Sequence, residues 1–381
     1  MAEVKIAADS GGGSISLKGP STTTGNAHVA FVLPVADGSA GQYLKTDGSK
    51  NFGWVTQPTS FSKLTLTGAA NSSKGAGDFW YDTDKKFHFY TAGLVGTWSN
   101  GANHPDSGYG KAGAGTGTAT ITTGNTNGSG TQAGGDTYDG SSWSSITAPG
   151  TTTSMGTMTG AQSAAFKLAG YTGSAVTAAT EIWNGSSWSA SSNIGTTVRL
   201  LASCGTTTAA LVAGGYNDTA SERITTTQEW DGSSWSTGGA LSSVRSSHAA
   251  CGTVNAALQV GGALASGYYG YSDEYDGTSW SQGGQLGTAR HSNGTIGVQT
   301  SAVCAGGYPN SNTNTNSCEQ YDGTSWSAFD NLSTSRNNNL GDTGTTGNGL
   351  VIGGYQVSGA VYLNSVEELA PSGSIQVEEA E

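Results

Sequence analysis

Charge is scarce in this 381-residue chain. Only 11% of residues are charged, Lys and Arg number 15 against 27 Asp and Glu, and the formal net charge is −12. No Lys/Arg cluster offsets that balance, which argues against sequence-independent binding to nucleic acid or to an anionic membrane. No apolar run reaches 18 residues and no basic-plus-apolar leader follows Met1, so neither a membrane-spanning helix nor a secretory signal is expected. So low a charged fraction would fit disorder if the apolar residues were scattered. They are not scattered.

Six tryptophans, Trp98, Trp143, Trp188, Trp235, Trp280 and Trp326, recur at intervals of 45, 45, 47, 45 and 46 residues. A fixed period of that size marks a repeat architecture. Five of them close near-identical text, from Tyr138-Asp139-Gly140-Ser141-Ser142-Trp143 to Tyr321-Asp322-Gly323-Thr324-Ser325-Trp326. An Asp-Gly or Asn-Gly pair between aromatic strand residues predicts a hairpin, because such turns need positive φ. A second marker, an apolar run ending in small residues, keeps the same period: Gly214-Gly215-Tyr216, Gly306-Gly307-Tyr308 and Gly353-Gly354-Tyr355, with Ala169-Gly170-Tyr171, Gly261-Gly262 and Gly124-Asn125 in the same slot. A third is a glutamate before the hairpin (Glu181, Glu229, Glu274, Glu319, Glu367). A fourth is an arginine ten or eleven residues after a tryptophan (Arg199, Arg245, Arg290, Arg336).

Apolar strand, Gly-Gly, variable loop, Glu, aromatic hairpin and Trp together resemble the kelch-type repeat of β-propellers over roughly residues 89–370, four strands to a blade. The tryptophan and glycine series are offset. The first tryptophan hairpin, at Trp98, precedes the first glycine slot, and the last slot, Gly353-Gly354, is followed by Val366, Glu367 and Leu369 without a tryptophan. The expectation is an all-β, six-bladed propeller closed by a strand from each end, which buries the edges an open array would expose. The repeat tryptophans are expected largely buried between blades.

The cysteines fall in this frame. Cys204 and Cys251 precede Gly-Thr at equivalent strand positions, Cys304 lies in an apolar run, and Cys318 precedes Glu319. There is no C-x-x-C, and His248 and His291 are not spaced for zinc, so buried thiols are expected over a disulfide or metal site. No metal and no cofactor are expected.

The first part of the chain differs in kind. Residues 1–60 form a Gly/Ser/Thr-rich, β-type stretch with few apolar residues, too lightly apolar to hold a generous core alone. Leu33-Pro34-Val35-Ala36-Asp37-Gly38 running on to Gly41-Gln42-Tyr43-Leu44-Lys45-Thr46-Asp47-Gly48 looks like a segment of tailed-bacteriophage fibre and appendage proteins, marine phages especially. Asp78-Phe79-Trp80-Tyr81-Asp82-Thr83-Asp84 is similar to another. The resemblance implies a virion protein whose residues 1–60 attach to other virion proteins or oligomerise, most often as a trimer. Residues 61–88 then form a connector, 89–370 the propeller and 371–381 an acidic tail.

In a four-stranded meander the loops joining the second strand to the third lie on the same face as the connections between blades. Those second-to-third loops, residues 217–223, 263–271, 309–316 and 356–363, differ freely between repeats. Variation on one rim of a regular scaffold is where a binding surface is built, although exposed loops also drift. Tyr268, Tyr269 and Tyr271 cluster in one loop, and Asn310, Asn312 and Asn314 in another. The arginine series begins on the same face. It reads either as a cationic ring for acidic sugars or as repeated Arg–Glu pairs with Glu229, Glu274 and Glu319.

Enzyme readings are weaker. Tyr138-Asp139-Gly140 comes near the Asp-box of sialidases but lacks the residue between Asp and Gly, and no nucleophile is assignable. Five scattered histidines offer no copper set of the kelch-type oxidases. Gly108-Tyr109-Gly110-Lys111-Ala112-Gly113 fits G-x-G-x-x-G but heads into strand-like text. The expectation is a non-enzymatic virion protein binding a host-surface glycan or protein. A glycan-degrading tail enzyme and a purely structural decoration protein are the alternatives.

Overall fold

The computed structural model describes residues 96–309, 313–337 and 340–370, of which 340–343 by backbone alone, and the backbone of seven short strands outside that span. The chain divides into two compact units, Met1–Gly93 with Ser374–Glu381, and Leu94–Gly373. In the first, Ser14–Ser16 pairs with Ala30–Val32 and Gln42–Thr46 with Phe52–Thr56. Its third sheet joins Asp78–Tyr81, Phe87–Tyr90 and Ile375–Val377, so the segment read as an acidic tail contributes a strand.

The second unit is a six-bladed β-propeller. Five blades are consecutive four-stranded meanders: Ala112–Thr116 to Trp143–Ser145, Thr157–Ala161 to Trp188–Ser191, Ala202–Gly205 to Trp235–Thr237, Ala249–Thr253 to Trp280–Gln285, and Gly294–Val298 to Trp326–Phe329. Blade 6 takes Leu340–Thr345, Asn348–Gln356 and Val361–Ala370 from one end of the unit and its outermost strand, Thr97–Asn100, from the other. Leu369 pairs with Trp98 and Ala370 with Thr97. The ring is closed as the offset of the two residue series predicts.

There is no single core. Six apolar clusters each lie between two neighbouring blades. One joins Cys204, Leu211 and Ala213 of blade 3 to Ala257 and Tyr275 of blade 4, and another joins Leu350, Ile352 and Val366 of blade 6 to Tyr138 of blade 1. Each blade buries both of its faces, so its two central strands are apolar and small over continuous runs rather than alternating. All four cysteines are buried thiols outside any disulfide. Burial holds the Cys304 and Cys318 thiols up at about 12, and so inert.

The hairpins form as their text predicts. Tyr138 pairs with Trp143 across the turn, Gly140 has φ 93°, and the Asp139 carboxylate accepts the Ser141 and Ser142 amides at 2.8 and 2.7 Å. The six tryptophans do lie between blades, but they are half-buried rather than largely buried. The cause is polar. Each indole N–H donates to an oxygen in or just after the preceding blade, as Trp235 does to the Ser192 carbonyl at 2.8 Å and Trp98 to that of Asp330 at 2.9 Å. That bond holds the ring at the outer rim, where one edge meets solvent.

Candidate functional site

The glycine pair shapes the rim that carries the variable loops. Gly261 and Gly262 have φ of 66° and 122°, a conformation that costs L side chains energy; four other slots repeat it, with Ala169 in one first position, while at Gly124-Asn125 only the glycine does. A Cβ on Gly214 would lie 2.9 Å from the Arg245 carbonyl of the next blade. The second glycine then donates to that same carbonyl position: Gly215 to Arg245, Gly262 to Arg290 and Gly307 to Arg336, at 2.8 to 2.9 Å. Nearer the axis a second series links the blades by main chain alone. Met155 N–H donates to Gly110, Leu200 to Met155, Ser247 to Leu200 and Ser292 to Ser247, at 2.6 to 2.8 Å. The four donors are non-glycine residues with φ of 55° to 59°.

These bonds also define which arginines are equivalent. Gly170 donates to Val198, not to Arg199. Arg199 is therefore one position out of the series, and Val198 stands where Arg245, Arg290 and Arg336 stand. Those three arginines are buried and form no solvent-facing cationic ring. Arg290 pairs with Glu319, Arg336 with Glu367 at 2.7 Å, and Arg245 with Asp273. The glutamate marker likewise merges two adjacent strand positions. The inner one holds Asp136, Glu181, Gln228, Asp273, Glu319 and Glu367. Val198 in blade 3 coincides with the uncharged Gln228, and blade 2 meets Glu181 with Lys167. In blade 1 Asp136 faces the neutral His104 and has Lys111 as its nearby cation. A base and an acid are thus present together or absent together, as the cost of an unpaired buried charge requires.

Arg199, freed from that interior position, turns onto the rim. Its Nε donates to both Asp218 carboxylate oxygens at 2.9 and 3.2 Å, and its guanidinium lies 5.8 Å from the Tyr171 ring centre and 5.4 Å from that of Tyr216. Arg223 comes from the short ribbon in which Tyr216–Asn217 pairs with Glu222–Arg223, and it covers Tyr216 from 5.8 Å. The two arginines, Tyr216, Tyr268 and His291 line an open groove of about 470 Å³ over blades 3 to 5. Tyr268 and His291 have ring centres 4.7 Å apart. Burial, then Arg223, pulls the His291 imidazole down to about 4, so it is neutral near pH 7. The groove carries two cations on a protein of net charge −12.

Of the residues expected on the rim from sequence, the groove brings together Arg199 and Tyr268. Tyr269 is instead buried, its hydroxyl donating to Asp273 at 3.0 Å and its ring under the Arg245 guanidinium at 4.3 Å. Tyr271 starts the third strand of blade 4 and packs on Tyr269. Asn310 and Asn312 lie outside the described residues, while Asn314 accepts from Val357 N–H at 3.0 Å. Sequence reading passed over Arg223, Tyr216 and His291. For Tyr216 the available signal was the tyrosine that follows Gly214-Gly215, Gly306-Gly307 and Gly353-Gly354 alike. A second aromatic cluster on the same rim, Tyr109, Tyr355 and Tyr362, spans blades 6 and 1 with ring centres 5.4 to 6.0 Å apart.

His104, Asp106 and Asp136 present ligand atoms within 4.8 Å of one another. The His104 Nδ1 already accepts the Asp106 amide at 3.0 Å, and its Nε2 faces Thr122 and Asp136 at 3.0 and 3.6 Å. Burial and Lys111 pull this imidazole down to about 3. A histidine with both nitrogens engaged reads as a satisfied interior group.

No protein-family model matches the chain, and no curated protein does. The solved structure titled "Structure of YjhT" superposes over 74% of this chain and 99% of its own, with a TM-score of 0.61 at 14% identity. At that identity the likeness is one of fold, and it places this chain among the six-bladed β-propellers.

Proposed function

We propose that the chain is a virion appendage protein of a tailed phage that binds a host-surface glycan through the rim of its propeller. The observation that carries the binding role is the arginine- and tyrosine-lined groove, set among the loops that vary most between repeats. Half-buried tyrosines offer flat apolar faces with polar tips, a combination suited to sugar rings. Attachment to other virion proteins, or assembly as a homo-oligomer such as a trimer, falls to residues 1–60. Its support is the resemblance of the early segments to phage appendage proteins. No carboxylate lines the groove, which speaks against a hydrolase with a paired-carboxylate site, though not against a sialidase-like one with a tyrosine nucleophile.

Adsorption of labelled full-length protein to a panel of marine bacteria tests the reading. Tyr216→Ala with Tyr268→Ala should reduce adsorption at least about tenfold, with the loss of two stacking faces, and leave the unfolding temperature near that of the parent. Unchanged adsorption removes the rim from the function. Release of saccharide from host polysaccharide would establish the enzyme instead.

A further inference from the structure

We infer that the groove over blades 3 to 5 takes the carboxylate of an acidic saccharide, anchored by Arg223. This rests on the glycan-binding reading above and names its ligand class.

The two groove arginines are not equivalent. Arg199 is tethered through its Nε to Asp218, which neutralises part of its charge. Arg223 has no ion pair among the described residues, and its Nε is buried without a hydrogen-bond partner. Its neighbour Glu222 is exposed and does not line the groove. A guanidinium that lines the groove with no acid paired to it is open to an anion. The planar guanidinium fork matches a carboxylate. The nearby imidazole is neutral, so the charge the groove offers belongs to the arginines. Tyr216 and Tyr268 bound the same groove and provide apolar faces beside the anion position. A carboxylate borne on a sugar ring satisfies both features in one ligand.

The experiment measures binding of the full-length protein to alginate, polygalacturonate, hyaluronan and polysialic acid. Each is also presented after carboxyl reduction, which keeps the chain and removes the charge. At least one acidic polymer is expected to bind, its reduced form to bind about tenfold to a hundredfold more weakly, and Arg223→Gln to lose the same factor, as for a hydrogen bond to a charged group. Arg223→Lys, which keeps the charge but not the fork, should fall between. It also serves as the test variant if Arg223→Gln unfolds. Equal binding before and after reduction overturns the inference and leaves the glycan reading intact. A carboxylate-dependent signal that survives in both Arg223 variants overturns the assignment to this groove. No binding to any acidic polymer also overturns the inference, and adsorption to bacteria then decides separately whether the broader reading survives.

Discussion

Tyr275 of blade 4 donates its hydroxyl to Glu229 of blade 3. The same link joins Tyr321 to Glu274 and Tyr138 to Glu368, each at 2.5 Å. Where the hairpin aromatic is Trp183 or Trp230, or where Leu369 replaces it, the preceding blade has Thr137, Ile182 or Gln320 at the glutamate position. Donor and acceptor therefore change together around the ring. Burial and the glutamate hold the Tyr275 hydroxyl up at about 12, so it stays a donor.

Tyr275→Phe should destabilise the protein by about 1.5–3 kcal/mol, the range for a hydrogen bond to a charged group. Glu229→Ile alone should cost a comparable amount by leaving the hydroxyl without an acceptor. The double variant should cost clearly less than the sum, with a coupling of about 0.5–3 kcal/mol in a urea-unfolding cycle. Strict additivity would mean that the contact contributes nothing.

Arg245→Val should cost about 3–5 kcal/mol, because Asp273 would remain buried without its cation. Arg245→Val with Asp273→Gln copies the Val198 and Gln228 pair of blade 3 and should recover most of that loss. Denaturant midpoints of the three proteins check it. A double variant as unstable as the single one would refute the equivalence of the two blades.

Stability should fall with acid in two windows. His104 and His248 are held near 3 in the folded protein by burial together with Lys111 and Arg245 respectively. The unfolded chain binds their protons near 6.5, so the folded state loses ground as pH drops from about 6.5 towards 3. Asp276 runs lower: turn hydrogen bonds depress its carboxyl to about 2, so its contribution is present above about 4 and is lost as pH falls from there to 2. The unfolding temperature should decline below pH 7, and His248→Gln should shallow the upper part of that decline.

Closure depends on the pairing of Val361–Ala370 with Thr97–Asn100. Removing residues 364–381 should abolish the cooperative transition of the whole propeller, seen by tryptophan fluorescence in urea. Trp235→Ala acts locally. It should cost about 2–3 kcal/mol, below the ~3–5 kcal/mol of a fully buried aromatic, because one edge of the ring is already in water.

Blade number and closure were legible because period survives any change of residue that keeps the pattern. The sites were less so, since spacing alone does not fix register. Arg199 follows Trp188 by eleven residues where the other three arginines follow by ten, and that single step moves a side chain from the interior to the rim. Glu229 and Glu319 looked like one marker, yet they occupy adjacent strand positions that face different partners. Tyr268 and Tyr269 are neighbours in sequence, and strand-like alternation sends one to the groove and the other under Arg245. Arg223 carries no periodic signature at all.

The chain of amide-to-carbonyl bonds through Gly110, Met155, Leu200, Ser247 and Ser292 is indifferent to the side chains those residues carry. Rim geometry is thereby uncoupled from rim chemistry. Residues 217–223 sit as a head on a fixed mount, whereas residues 263–271 also send Tyr269 into the interior beneath Arg245, so a new loop there must keep that anchor. A lineage under pressure to follow a changing partner would keep the mount and rewrite the heads, which is the division between constant and variable text that the repeats display.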